Sequence, residues 1–329
     1  MTPADYTTSL RAAAEYIREG DDFLVVSHMQ PDGDAAGSTF AVAWMLQALN
    51  KNYTLINEGT MPEKYMYMAA GVGTLHAYDR NPPERKFERV ISVDCADYGR
   101  IGRVSECLSP QASLLNIDHH ATNDLFGAVN LVHPDAAATV EVLYDLVQEL
   151  GLPLTEGLCS CIYSGLLTDT GGFRYSNTSP KVLGIAADLL GRGVKGHELA
   201  ERLLETMSYG QVSLLKRSLN TLSFSADKRI AWLTVSTEDR EATGASSDDM
   251  DGLVNYARNV EGVEVGMLFK EKEPGVIKVS LRSGGRADVA AIAQAFGGGG
   301  HVKAAGCTFL GTMEEAVDTV VREVGKGIG

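Results

Sequence analysis

Four short stretches bring together side chains that could do metal chemistry. The first is Ser27-His28-Met29-Gln30-Pro31-Asp32-Gly33-Asp34-Ala35-Ala36-Gly37-Ser38. The second is Asp94-Cys95-Ala96-Asp97, the third Asp118-His119-His120, and the fourth Thr168-Asp169-Thr170-Gly171-Gly172. Each of the first three follows an apolar run rich in β-branched residues, and the fourth closes an apolar helix. Asp32, Asp34, Asp94, Asp169, His28 and His119 would make a poor core but a good site for two divalent ions. A carboxylate such as Asp94 or Asp169 can bridge two ions about 3.5–4 Å apart. A set dominated by oxygen with some imidazole favours Mn²⁺, with Mg²⁺ possible, whereas zinc prefers more nitrogen and sulfur.

Taken singly, each stretch has a plainer explanation. An Asp after a strand is commonly a helix cap or turn residue, which suits Asp97 and Asp135. Pro31-Asp32-Gly33 is an ordinary turn sequence, and a His-His pair is common at surfaces. Coincidence at four successive element ends is what favours a shared site.

The elements that must position these groups alternate between strand and helix. Residues 23–27 (FLVVS), 53–56, 89–93 (RVISV) and 113–117 (SLLNI) read as strands. Residues 38–49 (STFAVAWMLQAL), 137–150 and 155–167 read as helices. Such alternation implies a parallel sheet with crossover helices, whose ligands bind beyond the carboxyl ends of the strands.

From 179 to about 222 the pattern is mostly helical, and 200–222 reads as a long connecting helix. Strands follow at 230–235, 263–269 and 276–282, with helices at 249–259 and 289–296. The expected organisation is a two-domain α/β protein. Residues 1–190 form the parallel-sheet domain, 191–222 a helical linker, and 223–329 a smaller α/β domain, with the active site in the cleft between the two domains.

The second half holds Phe296-Gly297-Gly298-Gly299-Gly300-His301-Val302-Lys303-Ala304-Ala305-Gly306-Cys307. Four consecutive glycines allow close backbone approach and can point several N–H groups at an anion. His301 and Lys303 would add positive charge, and Arg282, at the end of a strand, can fork onto a phosphate.

Composition limits the partners. The 329 residues carry 29 Lys and Arg against 43 Asp and Glu, a formal charge of -14. That argues against wrapping long nucleic acid, which leaves a basic footprint. Hydrophobic residues at 44% supply a sizeable core, which excludes a disordered chain. Glycine, at 35 residues, is above its usual share of about 7%. No apolar run is long enough for a membrane span, and the N-terminus lacks signal-peptide character. The five cysteines are odd in number and irregular in spacing, as suits a reduced, cytoplasmic protein. A homodimer is compatible with all of this.

Together the motifs resemble the DHH phosphoesterase superfamily, within it the DHH–DHHA1 branch that includes nanoRNases and 3′-phosphoadenosine-5′-phosphate (pAp) phosphatases. The resemblance covers nearly the whole chain. His28, Asp32 and Asp34 match the HxxxDxD element, Asp94 the next strand-end aspartate, and Asp118-His119-His120 the DHH triplet. Asp169 matches the last aspartate, and residues 297–301 the GGGGH element.

The resemblance implies two metal ions, one held by His28, Asp32, Asp94 and Asp169, the other by Asp34, Asp94, His119 and Asp169. It implies that His120 faces the substrate phosphate and that Asp118 orients a histidine. Arg282, Gly298, Gly299, Gly300, His301 and Lys303 would hold the rest of the substrate. The implied activity is metal-dependent hydrolysis of oligonucleotides of two to five nucleotides to mononucleotides, of pAp to AMP, or both, through hydroxide activated by the two ions. Linear or cyclic dinucleotides (pApA, c-di-AMP) are the alternative substrates, and an inactive nucleotide-binding regulator the alternative class. Family II pyrophosphatases share the first-domain motifs but lack GGGGH. RecJ-like exonucleases carry a further nucleic-acid module, for which this chain has no room.

Overall fold

The computed structural model describes residues 3–246 and 248–328. The chain divides between Thr206 and Met207 into two compact units. In order, the first contains α1 (Pro3–Glu19), β1 (Phe23–Val26), α2 (Gly33–Ala48), β2 (Tyr53–Asn57), β3 (Leu75–Ala77), β4 (Phe87–Val93), β5 (Leu108–Asp118) and β6 (Val129–Val132). Then follow α3 (Thr139–Leu150), α4 (Glu156–Asp169), α5 (Pro180–Gly191) and α6 (Gly196–Ala200).

All six strands run parallel in the order β3-β2-β1-β4-β5-β6. The central strand β1 is buried along its length, as its unbroken FLVV requires of a strand covered on both faces. Phe23, Val25, Ile91 and Leu115 pack with the helices on one face. Leu24, Val26, Val90, Ile101 and Val104 fill a second cluster, partly supplied by the 3₁₀ segment Tyr98–Cys107. Strand order reverses between β1 and β4, and sheets of this kind bind ligands beyond the carboxyl ends at that reversal.

Helix α2 is apolar nearly all round because it is buried nearly all round. It runs antiparallel to α4 with its glycines at the crossing. A Cβ on Gly37 would lie 2.7 Å from the Cys161 carbonyl oxygen, and one on Gly33 would run into Thr168. This close approach sets the start of α2, with Asp34, beside the end of α4, with Asp169.

The second unit contains α7 (Tyr209–Leu219), β7 (Ser223–Phe224), β8 (Ile230–Val235), α8 (Thr237–Thr243), α9 (Leu253–Arg258), β9 (Val265–Glu273) and β10 (Val276–Ser283). It ends with α10 (Val289–Gln294), β11 (Gly299–His301), β12 (Ala304–Leu310) and α11 (Met313–Gly327). Its sheet order is β11-β12-β10-β9-β8-β7, antiparallel except for β8–β9. Alternate residues Met267, Phe269, Ile277, Val279 and Leu281 pack under α10 and α11. On the other face, Ala231, Leu233 and Leu268 pack with Leu214 of α7 and Leu253, Val254 and Ala257 of α9.

One expectation changes. The segment 191–222 is not a separate helical linker. The chain leaves the helix after Glu205 and turns extended at Thr206, and Ser208 caps a new helix by accepting from the Gln211 amide. Leu214 then buries in the core of the second unit, so α7 belongs to it. Part of the glycine run is strand: Gly299, Gly300 and His301 pair with Gly306, Ala305 and Ala304 in a hairpin. The structure adds α1, β3, β6 and α11. Among the described residues, no helix is long and apolar enough to cross a membrane.

Candidate metal centre and active site

Just beyond β1, the His28 imidazole lies 3.4 Å from Asp94 Oδ2 and 3.9 Å from Asp32 Oδ1. Asp32 caps α2, accepting from the Asp34 and Ala35 amides at 3.1 Å each. That cap turns Asp34 inward until it is fully buried. Its carboxylate then accepts from the amides of Thr139 at 2.6 Å and Val140 at 3.1 Å. These are the first amides of α3, where unsatisfied donors and the helix dipole both favour negative charge.

Asp94 leaves β4 with a left-handed backbone, φ +58°. Asp tolerates this conformation better than most residues, and such positions concentrate at functional sites. The turn puts Asp94 Oδ1 at 2.9 Å from the Thr139 hydroxyl and 3.7 Å from His119 Nε2. His119 Nδ1 bonds the Ala136 carbonyl at 3.2 Å, which orients Nε2 toward the acids. That Nε2 lies 3.9 Å from Asp34 and 3.5 Å from Asp169. This is the usual way a ligating histidine is fixed, through its other nitrogen.

Three groups of potential ligand atoms result: His28–Asp32–Asp94, Asp34–His119–Asp169 and Asp94–His119–His120, each with its atoms within 4.8 Å of one another. The structure brings these side chains together: Asp169, which the resemblance places at both ions, groups here with Asp34 and His119, while Asp94 groups with His28 and with His119. Burial, then Asp94 and Asp32, raise the carboxyl of Asp34 well above the usual range. Burial, then Asp34, Asp32 and Asp94, do the same to Asp169. Burial alone would raise Asp94 too, but the hydrogen bond from His28 and the charges of His119, His28 and His120 hold it below the usual range. Among the described residues, none of these carboxylates has a Lys or Arg within 4 Å. Crowded carboxylates with imidazoles and no organic cation fit divalent metal ions.

Asp118 is fully buried and does not join the ligand groups. It bonds His120 Nδ1 at 2.8 Å and accepts from Asn123 Nδ2 at 2.6 Å. Burial lowers the His120 pKa, but the hydrogen bond and charge of Asp118, with Asp94, raise it above the ordinary imidazole value. Several contributors were not visible in the sequence. Thr139 holds Asp94 and Asp34, Asn123 holds Asp118, and Asn177 donates to the Asp169 carbonyl at 3.1 Å. The charge of Arg100 acts on His120. Only the position of Arg100 a few residues beyond the Asp94 strand end could have hinted at it.

In the second unit, Arg282 pairs with Ala304, and Ala304 with His301. Residues opposed across a sheet share a face, so Arg282 and His301 stand in one row, two strand spacings or about 10 Å apart. The Arg282 guanidinium donates to the Leu281 carbonyl at 3.0 Å. Lys303 donates to the Gly285 carbonyl and so joins two loops of its own unit. Gly300, at φ +142°, could not carry a side chain, because its Cβ would lie 2.5 Å from the Ala304 carbonyl oxygen.

The DHH family N-terminal domain matches residues 22–166, and the DHHA1 domain residues 229–326. The bifunctional oligoribonuclease and PAP phosphatase NrnA of Thermus thermophilus is 35% identical over 326 residues, 97% of this chain and 94% of that one. The chain belongs to the DHH/DHHA1 phosphoesterases. A second such relative, the NrnA of Bacillus subtilis, is 28% identical over 88% of this chain and 89% of its own. An exopolyphosphatase-related protein from Bacteroides fragilis has the same fold, with a TM-score of 0.89, 26% identity and coverage of 97% and 96% of the two chains. Of the DHH/DHHA1 site residues, all but Asp169 fall within the two matched segments, and Asp169 lies just past the first.

Proposed function

We propose that this phosphoesterase hydrolyses oligonucleotides of two to five nucleotides to mononucleotides and pAp to AMP, using two divalent ions with Mn²⁺ preferred. The observation that carries the reading is Asp94, a carboxylate within reach of both His28 and His119 and so common to two ligand groups. The relatives named for oligoribonuclease and PAP phosphatase activity support the substrate class.

Bound at these groups, divalent ions would supply charge neutralisation and a water acidified toward neutral pH. The chain's own residues do the rest. Asp118 holds the His120 tautomer and proton, so the imidazolium can hold a phosphoryl oxygen as charge builds there. Asp34 and Asp94 are fixed by amide and hydroxyl donors before substrate arrives. Arg282 and His301 bind a second substrate phosphate, with the glycine hairpin admitting it close to the backbone. Water adds to phosphorus, the ester P–O bond breaks, and the leaving oxygen takes a proton. We assign the chemistry to the first unit and substrate binding to the second.

A panel of pAp, 5′-labelled di- and pentanucleotides, a 24-mer, pyrophosphate and c-di-AMP tests this, with Mn²⁺ or EDTA. Phosphate release from pAp and mononucleotides from the short oligomers are expected with Mn²⁺, and nothing with EDTA or in Asp94→Ala. Equal attack on the 24-mer, turnover of pyrophosphate or c-di-AMP alone, or no turnover at all would overturn the reading.

A further inference from the structure

The open part of the second unit's sheet carries a cation pair that the metal chemistry leaves without a role. Lys278 of β10 stands directly opposite Lys270 of β9. Along β10, Ile277, Val279 and Leu281 turn to the core under α10 and α11. Lys278, Ser280 and Arg282 therefore turn to the opposite face, where α7 and α9 pack on Ala231, Leu233 and Leu268 of β8 and β9. A groove of about 630 Å³ opens beside them. Its lining includes Lys270, Lys278, Ser280, Thr308 and the glycines 297–299, and contains no Asp or Glu.

In a chain of charge -14, a groove with two lysines and no carboxylate in its lining is a local reversal of sign. Like charges directly opposed across a sheet destabilise it. Neither lysine makes a hydrogen bond or ion pair among the described residues. Burial lowers the Lys270 pKa; the charge of Asp251 opposes this, and the smaller effects of Lys278 and Arg282 add to the lowering. An anion accepting from both ammonium groups would relieve that repulsion, with Ser280 and Thr308 beside it in the lining.

We propose that Lys270 and Lys278 together hold a further backbone phosphate of an oligonucleotide, beyond the one bound at Arg282. This rests on the functional reading above. Lys278 and Arg282 are four residues apart on one strand, about 14 Å at ~3.4 Å per residue. With one phosphate of pAp at the metal centre and the other at Arg282, none remains for the lysines. A pentanucleotide has phosphates to spare, so the pair selects for oligomer length and is silent toward pAp.

The test compares wild type with Lys278→Ala, Lys278→Glu and Lys270→Ala/Lys278→Ala. The first two change an exposed side chain, so folding of the part-buried Lys270 site is not at stake in them. For the pentanucleotide, KM should rise roughly tenfold in the single alanine variant and further in the others. For pAp it should stay within twofold. Anisotropy of a 5′-labelled pentanucleotide in EDTA should show weaker binding, with a salt slope shallower by ~0.7 for each lost phosphate contact. Unchanged pentanucleotide binding in all variants, or equal losses for pAp, would overturn the proposal. Wild-type protein that turns over neither substrate would overturn the functional reading instead, and the anisotropy arm would still decide the phosphate site.

Discussion

Thr139 donates its hydroxyl to Asp94 Oδ1 at 2.9 Å while its amide donates to Asp34 Oδ2 at 2.6 Å. One residue at the start of α3 thus orients a carboxylate from each of two ligand groups. Thr139→Val removes the hydroxyl and keeps the amide, so Asp94 loses a donor and Asp34 does not. Outer partners of this kind are worth about 10–100-fold in metal affinity. Calorimetric titration with Mn²⁺ should show a loss in that range. Wild-type affinity in the variant would reduce Thr139 to a helix-starting residue.

Asp118 acts through His120, not on a metal ion. Asp118→Asn keeps the shape and the neighbouring Asn123 but removes the charge that holds His120. The turnover number should fall about 10²–10⁴-fold, the range for losing a correctly held acid–base imidazole. Mn²⁺ affinity should change by no more than a few-fold. A large loss of metal in this variant would mean that Asp118 supports the ligand groups directly.

The chemistry of the first unit was readable because its residues sit at strand and helix ends, which parallel topology forces to one edge. Asp32, Asp34, Asp94 and His119 follow from that rule, whereas Asp169 reaches the same edge because α4 runs antiparallel to α2. How near Asp169 comes to Asp34 was not legible, since it depends on how closely α2 and α4 pack. Thr139 was hidden because Ala137-Ala138-Thr139 reads only as the start of a helix. The break at Thr206 had a signal, the Ser208-x-x-Gln211 start pattern, but apolar periodicity across 200–222 masked it. Helix α11 had one as well, the Thr312–Glu315 capping box. Strand β11 had none, because glycines carry no side-chain pattern.

The α2–α4 crossing should be sensitive to a single methyl group. In Gly37→Ala the new Cβ meets the Cys161 carbonyl at 2.7 Å, and backbone cannot swing away as a side chain would. Overpacking of this kind costs about 1–3 kcal/mol. Separating the helices also displaces Asp34 from Asp169, so Mn²⁺ affinity should fall with the melting temperature. Gly184→Ala on α5 is the control, because nothing lies within 4 Å of its Cβ. It should raise stability by up to ~1 kcal/mol. Equal melting temperatures for the two variants would show that the crossing has slack.

Arg282 shares its row with His301 and lies in the unit that does not contain the metal ligands. A residue that binds a phosphate away from the reacting bond contributes equally to ground and transition states. Arg282→Ala should therefore raise KM for pAp by about 10–100-fold, the worth of a forked charge-assisted contact, and leave kcat within a few-fold. Bound metal measured by elemental analysis should stay at the wild-type level. A double-mutant cycle with His301→Ala should show coupling of about 0.5–3 kcal/mol if both hold one phosphate. A fall in kcat at constant KM would instead put the guanidinium on the reacting phosphoryl group, and loss of metal would place it among the supports of the ligand set.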